Sequence, residues 1–285
     1  MPQFGHFLAP GPDAVRVAVE ADRLGLDLLG VQDHPYQRRL DCLALMATVL
    51  AVTGGITVFP DVACLPLRPP QVLAGTLASL DVLSGGRAEL GLGGGIFWDA
   101  ITAHGGPHRT PRASRTALAE AVQVIRLLWS GEKDVRFEGE HYRLGGGFPA
   151  IGGPVPVHPM GIWLGVTGRR SLEIAGTHAD GWIPSSSFVP PERLAEGHRI
   201  IDDAAHAAGR KPSEIRRIYN FAGPRTAAEL ADLVIEHRMD TLIHAGDPAW
   251  LPVLAHEVAP AVREMVAGRA GARGEPVTRR AAGAG

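Results

Sequence analysis

Short apolar runs alternate with amphipathic helical stretches along this chain, and that alternation constrains its fold more than any other feature. The runs are too brief for helices and are bounded by Gly, Pro or Asp, which is typical of buried parallel strands. The predicted strands are 3–8, 28–32, 56–64, 87–92, 162–166, 181–184, 215–222 and 240–245. A length of 285 residues suits either two domains or one α/β barrel. Eight alternating units favour the closed (β/α)8 TIM barrel over an open doubly wound sheet.

The spacing between the fourth and fifth predicted strands is longer than elsewhere. A Gly- and Pro-containing loop, 93–112, precedes a periodic helix, and residues 134–158 contain a predicted hairpin at 135–144. We expect this loop and hairpin insertion to lie over one end of the barrel. Residues 1–268 are predicted to form a single domain, and the Ala-, Gly- and Arg-rich tail 269–285 is predicted to be disordered.

Charge and cysteine content exclude several classes of protein. The formal net charge of −2 lacks the excess of basic residues that is typical of proteins that bind nucleic acid or a membrane surface. Two cysteines are too few for a disulfide framework. No basic N-terminal region precedes an apolar stretch, and no run of 18 apolar residues occurs. These features predict a soluble cytoplasmic protein.

A Gly-rich turn between the fifth strand and its helix is the first candidate binding site. Gly165 and Gly168 allow close backbone approach, and Arg169 and Arg170 begin the predicted helix. Backbone amides at a helix N-terminus attract anions, so this turn is a candidate phosphate site. A turn that merely closes tightly would have the same sequence.

In a parallel barrel the loops after the C-terminal ends of the strands form the active site. Those ends are rich in glycine, apolar side chains and imidazoles, with almost no paired carboxylates: His6, 33–34, 63–64, 93–98, 165–168, 182–186, Asn220 and His244. This composition suits a flat aromatic cofactor with a phosphate tail better than a hydrolase that needs two carboxylates.

Several short sequence motifs resemble those of the bacterial luciferase-like superfamily of flavin- or deazaflavin F420-dependent oxidoreductases, especially its F420-type branch. The motifs are VQDHP at 31–35, CLPLRPP at 64–70, LDVLSGGRAELGLGGG at 80–95, FWDAI at 97–101 and IWLGVTGRRSLEIAGTHADGW at 162–182. The resemblance implies a TIM barrel that binds F420 or FMN at its C-terminal face. It also implies a small organic substrate, and pairing of barrels into a homodimer.

The resemblance assigns roles to individual positions. It implies that His34 lies near the ring and the reacting carbon, and that 165–169 binds the phosphate. It places the end of the third strand against the ring, often with a non-proline cis peptide there. With two residues from other strand ends, His6 and Trp182, the predicted cofactor-binding set is His6, Ala63, Cys64, Gly93, Gly94, Gly165, Val166, Thr167, Gly168, Arg169 and Trp182.

Two mechanisms fit these residues. F420 can exchange hydride with an alcohol, imine or activated alkene while His34 serves as acid or base. Alternatively, reduced FMN supplied by a flavin reductase supports monooxygenation of an organic substrate. Two further classes stay open: a barrel that binds flavin without turnover, and a metal-dependent hydrolase that uses His6, His34 and His244.

Overall fold

The computed structural model describes residues 1–145 and 153–273 and shows a parallel barrel surrounded by helices. Its 9-stranded sheet runs in the order β3-β2-β1-β11-β10-β9-β8-β5-β4. The strands are β1 (Gln3–Leu8), β2 (Leu28–Val31), β3 (Thr57–Pro60), β4 (Ala63–Cys64), β5 (Leu90–Gly93), β8 (Ile162–Leu164), β9 (Gly181–Trp182), β10 (Arg216–Ala222) and β11 (Thr241–Ala245). A separate antiparallel hairpin, β6 (Phe137–Glu138) and β7 (Arg143–Leu144), confirms the predicted insertion.

The two ends of the sheet meet, because β3 and β4 are parts of one predicted strand. Segment β3 pairs with β2, while β4 pairs with β5. Val58 also bridges to Ala88, with Val58 N donating to Arg87 O over 2.9 Å. Nine segments therefore occupy eight strand positions in a closed ring, and the predicted (β/α)8 barrel is confirmed.

Helices cover the outside of the ring. They are α1 (Ala14–Arg23), α2 (Cys42–Val52), α3 (Pro70–Ser84), α4 (Trp98–Ala103), α5 (Pro111–Trp129), α6 (Arg169–His178), α7 (Leu194–Ala207), α8 (Ala227–Ile235), α9 (Leu251–Val253) and α10 (Ala259–Arg273). Asp41 caps α2 by accepting from Leu43 N and Ala44 N. Thr226 and Glu229 form a capping box at the start of α8. None of the described helices is both long and apolar enough to cross a bilayer.

The strands carry apolar side chains on both faces, and these side chains form two separate cores. The barrel interior contains Leu28, Phe59, Trp163, Ile183, Ile218 and Ile243. A larger core lies between the strands and the helices, and it includes Phe4 and Leu8 of β1 and Trp182 of β9. Because side chains alternate along a strand, this division shows which residues can reach the interior and which face the helices.

Apart from shifts of one to three residues at the ends of strands, the structure differs from prediction in three places. The third strand, predicted over 56–64, is interrupted at a cis peptide between Asp61 and Val62. The predicted loop 93–112 contains the short helix α4. Helix α10 continues to Arg273, past the predicted domain boundary at 268. Residues 146–152 of the insertion and 274–285 of the predicted tail lie outside the described residues.

Candidate active site

His34 follows β2 at the C-terminal end of the barrel and belongs to a small aromatic group. Its Nδ1 lies 2.8 Å from Tyr36 Oη, and the two rings stack with centroids 5.3 Å apart. Phe97, from the loop after β5, presents its edge to His34 at 5.6 Å. Because Tyr36 occupies Nδ1, Nε2 is the imidazole nitrogen available to a ligand. Burial lowers the pKa of His34, and the Arg39 guanidinium acts in the same direction while Asp33 opposes it.

The neighbouring Asp33 joins the loop after β2 to the end of β4 and to Arg68, which precedes α3. Its carboxylate accepts from Cys64 N over 2.9 Å and from Arg68 Nε and an Arg68 terminal nitrogen over 2.8 Å each. Arg68 also forms an ion pair with Asp41 at 2.6 Å. These charge-assisted bonds position His34 through the backbone, because the Asp33 carboxylate is taken up by Cys64 and Arg68.

Glycines on β5 and just after β8 make room for Val62, which follows the cis peptide. A Cβ at Gly93 would lie 2.7 Å from Val62 Cγ2, and one at Gly165 would lie 2.9 Å from the same atom. Any larger residue would collide with this valine, since carbon atoms pack at ~3.5–4.0 Å. Val62 packs with the barrel interior. We call Val62, Gly93 and Gly165 the valine platform, an apolar surface at the mouth suited to a flat ring.

The turn after β8 leads into an open helix N-terminus. Gly168 is the N-cap of α6, and no side chain caps the helix. Residues 167–170 are exposed, so the first amides of α6 face solvent together with Arg169 and Arg170. Val166 is buried, and its carbonyl accepts from Trp182 Nε1 over 2.9 Å. This arrangement is compatible with the predicted phosphate site, because the N-terminus of α6 is exposed and uncapped, while the Arg169 side chain pairs with Glu173.

A buried acid lies inside the barrel beside the valine platform. Asp61 Oδ2 accepts from Asn220 Nδ2 over 2.9 Å, and the same amide donates to Ser185 Oγ over 3.2 Å. Burial raises the pKa of Asp61 to about 7. Asp61 can therefore hold or release a proton near neutral pH. Gly30 on β2 makes room for it, since a Cβ there would lie 2.7 Å from Asp61 Oδ2.

Three predicted cofactor residues face the helices instead of the mouth. His6 shares its face of β1 with Phe4 and Leu8, and its ring packs against His244 at 5.4 Å. Trp182 packs in the same helix-facing core. Ala63 also belongs to this core, and the interior position is taken by Val62, one residue earlier. The alternation of faces keeps the His6 and Trp182 side chains out of the mouth, whereas the prediction for Ala63 concerned its backbone and stays a prediction.

The remaining predicted residues lie at the mouth. Cys64 is 7% exposed, and burial raises the pKa of its thiol to about 11. The Gly94 carbonyl accepts from Ser114 Oγ over 2.8 Å, which fixes the loop after β5 to α5. Arg169 forms an exposed ion pair with Glu173 at 3.2 Å.

The three imidazoles required by the metal-hydrolase alternative do not converge. His34 lies at the mouth, whereas His6 and His244 are buried on the helix-facing side, where His244 packs on Trp250 at 4.8 Å. The described residues contain no group of three or more His, Cys, Asp or Glu side chains placed to hold a metal ion.

The fold and this mouth define a TIM-barrel protein built to hold a flat cofactor with an anionic tail. The sequence profile described as luciferase-like monooxygenase matches residues 4–273. The chain belongs to this family, and the resemblance stated above is confirmed.

Two relatives illustrate the range within the family. An uncharacterized protein of Mycobacterium tuberculosis is 33% identical over 209 residues, which cover 73% of this chain and 71% of that protein. An F420-dependent glucose-6-phosphate dehydrogenase of Nakamurella multipartita is 30% identical over 207 residues, covering 70% of this chain and 59% of the relative.

Solved structures share the fold. An F420-dependent secondary alcohol dehydrogenase, in complex with an F420-acetone adduct, superposes with a TM-score of 0.78 at 19% identity, covering 92% of this chain and 99% of that one. A monooxygenase from Streptomyces bottropensis gives a TM-score of 0.72 at 22% identity, with 90% and 99% coverage.

Proposed function

We propose that this protein is an F420-dependent oxidoreductase that exchanges a hydride with a small organic substrate. The observation that carries the proposal is the position of His34, half-buried at the mouth, with Nδ1 bonded to Tyr36 and Nε2 free. Relatives whose names record F420-dependent dehydrogenases support the choice of cofactor.

The residues at the mouth fit such a cofactor. The valine platform offers an apolar surface where glycines keep the backbone open. The uncapped N-terminus of α6, with Arg169 and Arg170, can bind a phosphate group. When bound, F420 supplies the hydride-accepting and hydride-donating centre. The proposed cofactor-binding residues are Val62, Cys64, Gly93, Gly94, Gly165, Val166, Thr167, Gly168 and Arg169.

His34 moves the proton that accompanies the hydride. Since burial lowers its pKa, the imidazole is neutral at pH 7 and can accept a hydroxyl proton at Nε2 while an alcohol is oxidised. Nδ1–H then donates to Tyr36 Oη both before and after this transfer, so the hydrogen bond is kept. In the reverse direction the protonated ring returns the proton to the substrate oxygen. Tyr36 stays neutral, because burial raises its pKa to about 12.

Monooxygenation with reduced FMN is the second candidate. The description of the family profile favours it, and the same platform and phosphate turn would hold FMN. It requires O2 and a separate supply of reduced flavin. A flavin or F420 reductase as partner, a homodimer and a cytoplasmic location stay predictions.

A spectroscopic assay tests the proposal. Protein mixed with oxidised F420 and a panel of secondary alcohols is expected to reduce the cofactor, and His34→Gln is expected to lower kcat by ~10²–10⁴-fold with little effect on F420 binding. His256→Gln, an exposed histidine on the segment before α10, is the matched control.

Three results would reject the proposal or redirect it. Tight F420 binding without turnover of any alcohol, imine or alkene would favour the non-catalytic barrel. Turnover that needs FMN and O2 would favour the second candidate. Unchanged kcat in His34→Gln would remove His34 from the reaction.

A further inference from the structure

A cleft of about 180 Å³ opens beside His34, between the ends of β1 and β2 and the loop after β5. Its wall includes Pro10, Asp33, His34, Arg39, Asp41 and His104. His34 belongs both to this cleft and to the aromatic group, so a molecule in the cleft would contact the residue proposed to transfer the proton. It is separate from the N-terminus of α6, which belongs to the loop after β8.

Both carboxylates on this wall already have cationic partners. Asp33 binds Arg68 at 2.8 Å, and Asp41 binds the same guanidinium at 2.6 Å. Asp41 also accepts two backbone amides as the cap of α2, and Asp33 accepts Cys64 N. Both acids are therefore engaged by Arg68 and by backbone amides, although the single guanidinium balances only one of the two carboxylate charges.

Arg39 is the cation that remains. It is exposed on the wall, and no ion pair to Arg39 occurs within residues 1–145 and 153–273. Its backbone is fixed, because Arg39 N donates to Gln37 O over 2.9 Å and Gln37 N donates to His34 O over 2.9 Å. Its charge reaches the reacting imidazole, since Arg39 contributes to the lowered pKa of His34. An unpaired guanidinium close to the proposed acid–base group is suited to hold a carboxylate.

We propose that Arg39 forms an anion subsite for the substrate, so that the compounds turned over beside His34 carry a carboxylate or another compact anionic group. This inference rests on the proposed function, because it describes the substrate of that reaction. His104 also lines the cleft. Arg39 binds and orients the substrate, while His34 transfers the proton.

The test uses two probes of the same shape and different charge: cyclohexanecarboxylate and cyclohexanecarboxamide. Their Kd values are measured by ligand-observed NMR at pH 7.5 and low salt, on F420-loaded and on cofactor-free protein. The wild type is expected to favour the carboxylate by about fivefold, the range of a partly exposed ion pair. Arg39→Gln is expected to abolish this preference.

Arg38→Gln is the matched control, since Arg38 is an adjacent exposed arginine that does not line the cleft. It should retain the preference for the carboxylate. Equal binding of the two probes by the wild type, no detectable binding of the carboxylate, or an unchanged preference in Arg39→Gln would each overturn the subsite.

A titration with F420 separates this inference from the proposed function. Arg39→Gln should bind F420 as the wild type does. If its affinity for F420 falls several-fold while its probe preference is unchanged, the anion held by Arg39 is the cofactor's own tail, and the substrate assignment is wrong. If the wild type does not bind F420, the proposed function fails, and the probes on cofactor-free protein still decide the subsite.

Discussion

The valine platform can be tested by adding a single methyl group. In Gly165→Ala the new Cβ would lie 2.9 Å from Val62 Cγ2 and 3.1 Å from Val62 Cγ1. Valine has restricted χ1 freedom, so the methyl groups cannot turn away without entering the space offered to the ring. Overpacking of this kind costs ~1–3 kcal/mol, and we expect a loss near the lower end because the mouth is open on one side. We also expect the Kd for the cofactor to rise about tenfold, since the displaced valine competes with the ring.

Gly54→Ala, in the turn between α2 and β3, is the matched control outside the site. Gly54 does not have a left-handed φ, and no heavy atom lies within 4 Å of an added Cβ. We expect its free energy of unfolding to change by less than about 0.5 kcal/mol and its Kd to stay at the wild-type value. Urea denaturation and fluorescence titration measure both quantities. Equal cofactor binding by the two alanine variants would refute the platform.

Three further predictions follow from buried or paired groups. Burial lowers the pKa values of His6 and His244 to about 4. Between pH 7.5 and 5 the unfolded state binds a proton at each histidine and the folded state does not, so each should lower the free energy of unfolding by about 2 kcal/mol as the pH falls. The urea midpoint of His244→Phe should therefore fall less over this pH range than that of the wild type. Tyr36→Phe should lower kcat by ~10-fold or more through loss of the Nδ1 partner of His34, with cofactor affinity retained, and a wild-type pH–rate profile in this variant would contradict it. Arg68→Met should destabilise the protein by ~3 kcal/mol, because it leaves a buried carboxylate unpaired, and an unchanged thermal midpoint would be inconsistent with that pairing.

The barrel was predictable because its signal is local. Each strand is a short apolar run next to an amphipathic helix, and both patterns are visible within about ten residues. The interruption of the third strand was not predictable in this way. The hydrogen bond at that interruption, from Asn220 to Asp61, joins residues separated by 159 positions, and no local pattern indicates it.

The site was predicted in part. The strand ends and the loops that follow them carry His34, Gly93 and Gly165 to the mouth, as expected for this fold. The prediction for His6 and Trp182 did not consider which face of the strand each side chain occupies. Phe4 and Leu8, two residues on either side of His6, are large apolar residues suited to the helix-facing core, and applying that pattern would have excluded the histidine.

Other functional residues gave no separate signal in the sequence. Val62 is one apolar residue among many, and its role comes from glycines on two other strands. Tyr36 lies two positions after His34, but only the geometry of the turn brings its hydroxyl to Nδ1. Arg39 becomes notable only because Arg68 takes up the nearby carboxylates.

Cofactor binding is the most direct test of the central claim, that this mouth holds F420 through the valine platform and the N-terminus of α6. Purified protein is titrated with F420 and with FMN, each oxidised and reduced, while intrinsic tryptophan fluorescence is followed. We predict saturable binding of F420, tighter than that of FMN and weakened in Gly165→Ala. Tighter binding of reduced FMN would favour monooxygenation over F420-dependent hydride transfer. Binding of neither cofactor would contradict the proposed cofactor site.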